Sequence, residues 1–209
     1  MPLIAPGVYA RCDDIANEAE TTYYLRFHIK SALISLHMIS NYSSENDSVY
    51  GNKAQFYHYY SDHLLYSLGQ IAERFRLSQK PSAKEKEYYE RRKINRKNYQ
   101  FTDTDFPILS NKDFRNTIEH IDEHNITVIN AHNGVGGFNY IDDDTSEELI
   151  NILLSQKHNH IYTLDMRKKV LYITRHENEL ELNLTELTDE LNLLMERVNS
   201  FASYIDSNI

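Results

Sequence analysis

Helical periodicity is the feature of this sequence that most constrains its fold. Over residues 53–77, apolar side chains recur every three or four positions, which places them along one side of an α-helix: Phe56, Tyr60, Leu64, Leu68, Ile71 and Phe75. Residues 185–205 repeat the pattern with Leu187, Leu191, Leu194, Val198, Ala202 and Ile205. A third stripe over residues 11–40 consists of Ile15, Ala19, Tyr23, Phe27, Ile34 and Met38. Three long helices with apolar faces predict a helical bundle.

The stretch before the last helix follows a different period. "YTLDMRKKVLYIT" alternates apolar and polar residues on both sides of a polar turn, and "NELELNL" alternates three leucines, as strands do. "TSEELINILLSQ" predicts a short helix capped by Thr145 or Ser146, and residues 125–144 before it predict a loop. We therefore predict one domain over residues 1–209: a mainly α, up-and-down helical bundle with a small antiparallel β-hairpin or meander at residues 160–184.

Composition narrows the class of protein. Cys12 is the single cysteine, so no intramolecular disulfide can form, which fits a reducing cytoplasm. The N-terminus lacks the charged and apolar regions of a secretory signal, and no apolar run approaches the roughly 18 residues of a membrane span. We expect a cytoplasmic protein without a membrane partner. The net charge of −9 argues against a broad nucleic-acid-binding surface but permits a local basic patch.

Residues 78–110, the basic segment, carry such a patch. Between Lys80 and Lys97 there are eight basic and three acidic residues, a local charge of +5. Lysine and arginine contact phosphates and tyrosine stacks on unpaired bases, so the candidate RNA-binding residues are Lys84, Lys86, Tyr88, Tyr89, Arg91, Arg92, Lys93, Arg96 and Lys97. The alternative is a solvated helix and loop, because most charge runs have no ligand.

A second polar feature is "DFRNTIEHIDEHN", residues 113–125, the motif segment. On a helical wheel Phe114, Ile118 and Ile121 form a buried stripe, while Arg115 and His120 lie about 140° apart on its two flanks. One interpretation is a solvent-exposed helix face in which Arg115 and Glu119 form an ion pair.

A zinc site is the second interpretation. "HIDEH", residues 120–124, matches the His-x-x-Glu-His pattern, in which His120 and His124 bind one metal ion and Glu123 acts as a general base. A catalytic zinc ion needs a third protein ligand. The candidates for that ligand are His132, His158 and Glu196.

The third interpretation of the motif segment is an RNA-cutting site. "RNTIEH", residues 115–120, is an Arg-Asn-x-x-x-His sequence that resembles the motif of the HEPN superfamily. The glycine-bearing loop, the "YTLDMRKKVLYIT" hairpin and the leucine-rich last helix resemble a group of uncharacterised bacterial HEPN-like proteins. The resemblance covers about the last half of the chain in pattern and the first half only in helicity.

The resemblance implies a metal-independent endoribonuclease that needs no cofactor. His120 would act as general acid and base, Arg115 would neutralise the scissile phosphate, and Asn116 would orient His120 or the phosphate. It also implies a homodimer that combines one arginine with the other subunit's histidine. Families of this kind serve as toxins or in phage defence, with RNA as substrate and sometimes a protein antitoxin as partner. Other members only bind RNA, a nucleotide or a protein.

Overall fold

The computed structural model describes residues 6–77, 82–83, 85–113, 137–155, 162–175 and 178–207. In chain order the helices are α1 (Pro6–Ser40), α2 (Asp47–Tyr50), α3 (Lys53–Glu73), α4 (Lys86–Asn98), α5 (Glu147–Ser155) and α6 (Leu184–Asp206), with a short 3-10 turn at Ser44–Asn46. The strands are β1 (Phe138–Ile141), β2 (Tyr162–Asp165), β3 (Val170–Arg175) and β4 (Asn178–Asn183). The predicted combination of a mainly helical chain with a small sheet before the last helix is confirmed.

The core lies where α1 packs against α3 and α6. The predicted stripes of α3 and α6 both face it: the α6 stripe is buried from end to end, and in the α3 stripe only Tyr60 is partly exposed. The caps explain where these helices begin. Asn52 accepts a hydrogen bond from the N–H of Gln55 at 2.9 Å, and Asn183 accepts from the N–H of Thr185 at 2.9 Å.

The predicted stripe of α1 is wrong. Tyr23, Phe27 and Ile34 are 74%, 58% and 58% exposed. The apolar residues that α1 buries from its middle onward alternate at spacings of four and three positions: Leu25, Ile29, Ala32, Leu36 and Ile39. This helix carries apolar residues on two sides, and periodicity alone does not tell which side meets α3.

The sheet has the strand order β1-β2-β3-β4. The predicted hairpin is present as β2 and β3, the predicted third strand is β4, and both pairs are antiparallel. Asp165 closes the β2–β3 turn, where its Oδ1 accepts from the N–H groups of Arg167 (3.1 Å) and Lys168 (3.2 Å). One sheet face, with Leu164 and Leu171, joins the core of the bundle.

Strand β1 corrects the prediction of a loop and of a purely antiparallel meander. It pairs parallel with β2, Phe138 opposite Tyr162, and α5 lies between them in the chain. Parallel neighbours need such a crossover connection. The four-residue "FNYI" is too short for alternation to reveal a strand. Ser146 is the cap of α5, because its hydroxyl accepts from the N–H of Leu149 at 3.3 Å.

The second half of the basic segment belongs to the core. Tyr99, Phe101, Phe106 and Leu109 are buried. The rings of Phe75, Phe101 and Phe106 stack in sequence with centroids 4.1 and 4.5 Å apart. The polar part of the basic segment therefore ends at the last turn of α4. Within the described ranges, no helix is long and apolar enough to cross a lipid bilayer.

Candidate functional site

The predicted catalytic residues Arg115, Asn116 and His120 lie outside the described residues, which stop at residue 113 and resume at residue 137. Several other candidates lie outside them too: Lys84, Glu123, His124, His132 and His158. Glu196, the remaining candidate zinc ligand, is exposed on α6. The described parts of the candidate site are the loop that precedes the motif segment and helix α4.

A buried carboxylate holds that loop. Glu190 of α6 accepts hydrogen bonds from the backbone N–H groups of Ile108 (2.8 Å) and Leu109 (3.0 Å). Burial raises the pKa of the Glu190 carboxyl, and the two N–H donors reverse only part of that rise. The backbone is thereby fixed a few residues before the motif segment begins.

Sequence analysis missed Glu190, although the signal was present. On the wheel of α6 it lies about 60° from Leu187, at the border of the sector that Leu187, Leu191 and Leu194 define. A charged residue at the border of a buried sector needs hydrogen-bonding partners when packing covers it. The residue therefore predicts a buried polar contact, although its position alone does not identify the partner.

The arginines of α4 point to the body of the bundle. Arg92 pairs with Glu73 and donates from Nε to the Glu73 carbonyl at 3.0 Å. Arg96 donates to the Phe75 carbonyl at 3.2 Å and pairs with Asp103. Arg91 lies 3.4 Å from Glu18 of α1. These three guanidinium groups attach α4 to its neighbours, so they are less available to RNA than their sequence suggests.

The lysines and tyrosines of α4 face outward. Lys86 and Lys97 are exposed, and neither forms an ion pair with any described residue. Lys93 pairs with Glu90 at 3.1 Å and lies 4.5 Å from the centre of the Tyr89 ring. Tyr88 is 68% exposed. The exposed cationic groups of α4 are thus lysines, and the partly exposed Tyr89 lies beside one of them.

An open cavity of about 280 Å³ lies between the end of α4 and the end of α6. Phe201 and Tyr204 stack along it with centroids 6.1 Å apart. Arg197 reaches across it to the Gln100 carbonyl and to Asp105, and Gln100 has the left-handed φ of +49°. Asn98, at the end of α4, also belongs to the lining. Aromatic rings that line an open cavity suit a stacked base.

Two other polar clusters tie α3 to the sheet. Lys53 pairs with Asp142 and with Asp144 (3.2 Å). Burial opposes the charge on both groups, yet the pair raises the pKa of Lys53 and lowers that of Asp142. Asp62 accepts from the hydroxyl of Tyr162 and lies 3.4 Å from His58 Nε2.

The described residues contain no cluster of side chains that supports metal binding. Among the residues that the structure describes, no group of three or more histidine, cysteine, aspartate or glutamate side chains could hold a metal ion. Both candidate histidines of the zinc interpretation lie outside that set. The zinc interpretation therefore depends on the sequence motif alone.

Comparison with protein-family models, with curated proteins and with solved structures gave no match. The functional argument therefore depends on the residues of this chain.

Proposed function

We propose that this protein is a metal-independent endoribonuclease of the HEPN type that cuts RNA with Arg115, Asn116 and His120. The observation that carries the proposal is the Arg-Asn-x-x-x-His sequence directly after a loop that Glu190 anchors to α6. A histidine side chain with an ordinary pKa of about 6.5 can accept and return a proton near neutral pH. An arginine five positions earlier supplies charge for a phosphate.

The described surface supports RNA as the ligand. Lys86, Lys97 and Tyr88 of α4 are exposed, and the cavity lined by Phe201 and Tyr204 offers aromatic rings at the end of the same helix. Lysine–phosphate contacts and base stacking both bind single-stranded RNA without strong sequence preference. In a chain of net charge −9, these groups form a local binding surface.

Two subunits are part of the proposal. On the predicted helix Arg115 and His120 would lie about 140° apart, so an arginine from one subunit and a histidine from the other would serve one phosphate better. The exposed side of α1 suits such a dimer. In an antiparallel pair centred on residue 25, Tyr23 faces Phe27 of the partner subunit and Glu20 faces Lys30 of the partner subunit. Exposed apolar patches of this kind mark interaction sites.

The test is cleavage of a labelled RNA panel in EDTA by wild-type protein, His120→Ala and His124→Ala. We expect wild type and His124→Ala to cut and His120→Ala to be silent. If EDTA abolishes cleavage and both histidine variants are inactive, the site is a metal site and the proposal is wrong.

Mixing Arg115→Ala with His120→Ala tests the composite site. Each variant alone has no complete site, whereas a mixed dimer has one, so random mixing should restore roughly a quarter of wild-type activity. A mixture as inactive as its components would exclude a shared site.

A second candidate function is a binding module that does not cut. The internal pairing of Arg91, Arg92 and Arg96 favours it, because it leaves fewer free cationic groups on α4 to hold an RNA substrate. RNA binding without cleavage by the wild-type protein would select this function. A toxin or defence role, with or without an antitoxin, is compatible with either candidate.

A further inference from the structure

Five arginines gather around the C-terminal end of α3: Arg74, Arg76, Arg91, Arg92 and Arg96. Four of them have a carboxylate within 4 Å. Arg76 lies 3.9 Å from Glu73, Arg91 lies 3.4 Å from Glu18, Arg92 also pairs with Glu73, and Arg96 pairs with Asp103. Arg74 has no hydrogen-bond acceptor and no ion-pair partner for its side chain among the described residues.

The lack of an acceptor for the Arg74 side chain among the described residues costs free energy because of the surroundings of this residue. Its Nε is shielded from solvent, and its guanidinium lies 4.1 Å from the centre of the Tyr24 ring. A cation over an aromatic face gains some energy, but a shielded guanidinium N–H without an acceptor loses more. An arginine held in this way is prepared for an anion that completes its hydrogen bonds.

A cavity of about 130 Å³ adjoins the group. Two arginines belong to its lining, which consists of Asn17, Glu20, Thr21, Tyr24, Arg74 and Arg91. Among the described residues, Arg91 forms a single, long ion pair, with Glu18 at 3.4 Å, which leaves it able to turn toward a ligand. Glu20 reduces the positive charge without pairing with Arg74. Two arginines and one glutamate give the lining a net positive charge, which suits a small oxyanion with two negative charges. The cavity is too small for a nucleoside.

We propose that this cavity binds the phosphate group of a phosphomonoester, with Arg74 as the principal ligand and Arg91 as the second. The planar fork of Arg74 matches two phosphate oxygens, and the stacked Tyr24 ring fixes the orientation of that fork. Free phosphate, a nucleoside monophosphate and the 5′-phosphate of an RNA all present this chemistry. The phosphate proposal uses neither Arg115 nor His120, so it stands or falls independently of the ribonuclease proposal.

The test measures binding of inorganic phosphate and AMP, and of one RNA with either a 5′-phosphate or a 5′-hydroxyl, at constant ionic strength set with chloride. Calorimetry on wild type, Arg74→Gln and Arg76→Gln gives the affinities. We expect Arg74→Gln to weaken phosphate and AMP binding roughly 10- to 100-fold. Arg76→Gln, the same change two positions away and outside the lining, should leave it unchanged.

The RNA pair identifies the source of the phosphate. A 5′-phosphate that tightens RNA binding in wild type and not in Arg74→Gln assigns the cavity to RNA ends. AMP binding without that difference assigns it to free nucleotides. Arg74→Lys keeps the charge and loses the fork, so intermediate affinity is expected if Arg74→Gln does not fold.

His28 provides a second readout. It is buried beside the rings of Tyr24, Phe27 and Tyr66, and burial and then the charge of Arg74 lower its pKa. A phosphate bound at Arg74 offsets that charge, so an NMR titration should show the His28 pKa rising on addition of phosphate. The proposal is overturned if wild type does not bind phosphate or AMP, or if Arg76→Gln loses as much affinity as Arg74→Gln.

Discussion

Helices α6 and α4 are attached to the same bundle by opposite means. Helix α6 buries Leu187, Leu191, Leu194 and Val198 completely. Among its own residues, α4 buries only Asn95, whose side chain donates to the Arg74 carbonyl at 2.9 Å. The guanidinium contacts of Arg92 and Arg96 complete its attachment. Apolar burial is not screened by salt and is costly to lose, whereas half-exposed ion pairs are weak and screened. The two helices should therefore fail under different conditions.

The largest effect should come from the α6 core. Leu191→Ala removes a fully buried side chain, so we expect the free energy of unfolding to fall by about 2–5 kcal/mol. Leu193→Ala, on the same helix but only partly buried, should cost less than half as much. Urea denaturation followed by circular dichroism measures both. Equal losses would mean that burial of α6 does not dominate its attachment.

Glu190 should come next, because it is a polar contact inside an apolar interface. Glu190→Ala leaves the N–H groups of Ile108 and Leu109 buried without acceptors, which should cost about 2–4 kcal/mol. Glu190→Gln restores one acceptor and should recover part of the loss. If the anchored loop also positions the motif segment, RNA cleavage should fall further than stability does. A neutral Glu190→Ala variant would show that the contact is dispensable.

The pH dependence of the same residue separates burial from hydrogen bonding. The folded protein raises the pKa of Glu190 above the ordinary value of about 4.5, so the folded state holds this proton more tightly than the unfolded state. That contribution is complete below the ordinary pKa and is lost as pH rises through the folded pKa. Relative to Glu190→Gln, the free energy of unfolding of wild type should therefore fall as the pH rises from the ordinary pKa through the folded pKa. Denaturation curves at a series of pH values test the sign.

The same contrast explains what the sequence could predict. The stripes of α3 and α6 were predictable because each helix has a single apolar side, so period and burial agree. Helix α1 has two such sides, and the choice between Leu25 and Tyr23 as core residue depends on where α3 packs. The parallel pairing of β1 is a long-range contact that no local pattern specifies.

The candidate site was less predictable than the fold. Part of the basic segment forms the cationic helix α4, but the partners of Arg91 and Arg92 are Glu18 and Glu73, far away in the sequence. Charge count therefore overestimates the free cationic surface. Arg74 gave no signal in the sequence, because the sequence does not tell which arginines find an ion-pair partner in the fold.

Breaking the ion-pair attachment of α4 should cause a moderate loss of stability. Arg92→Met keeps most of the aliphatic stem and removes the contacts with Glu73, so we expect a loss of about 1–2 kcal/mol that shrinks in high salt. Hydrogen exchange should speed up in α4 while α6 stays protected. Lys93→Met, which removes an exposed pair on the same helix, is the matched control and should change neither quantity measurably. Uniform acceleration in both helices would mean that α4 and α6 open as one unit.

The smallest effect on stability should accompany the clearest effect on RNA. Lys86 and Lys97 are exposed, so Lys86→Gln together with Lys97→Gln should change the free energy of unfolding by less than about 0.5 kcal/mol. If both lysines contact phosphates, RNA binding should weaken and the slope of log affinity against log salt should fall by about two. The control pair Lys168→Gln and Lys169→Gln removes the same charge from the exposed β2–β3 turn. Should both pairs reduce the slope equally, RNA would be responding to net charge, and α4 would have no specific part in binding it.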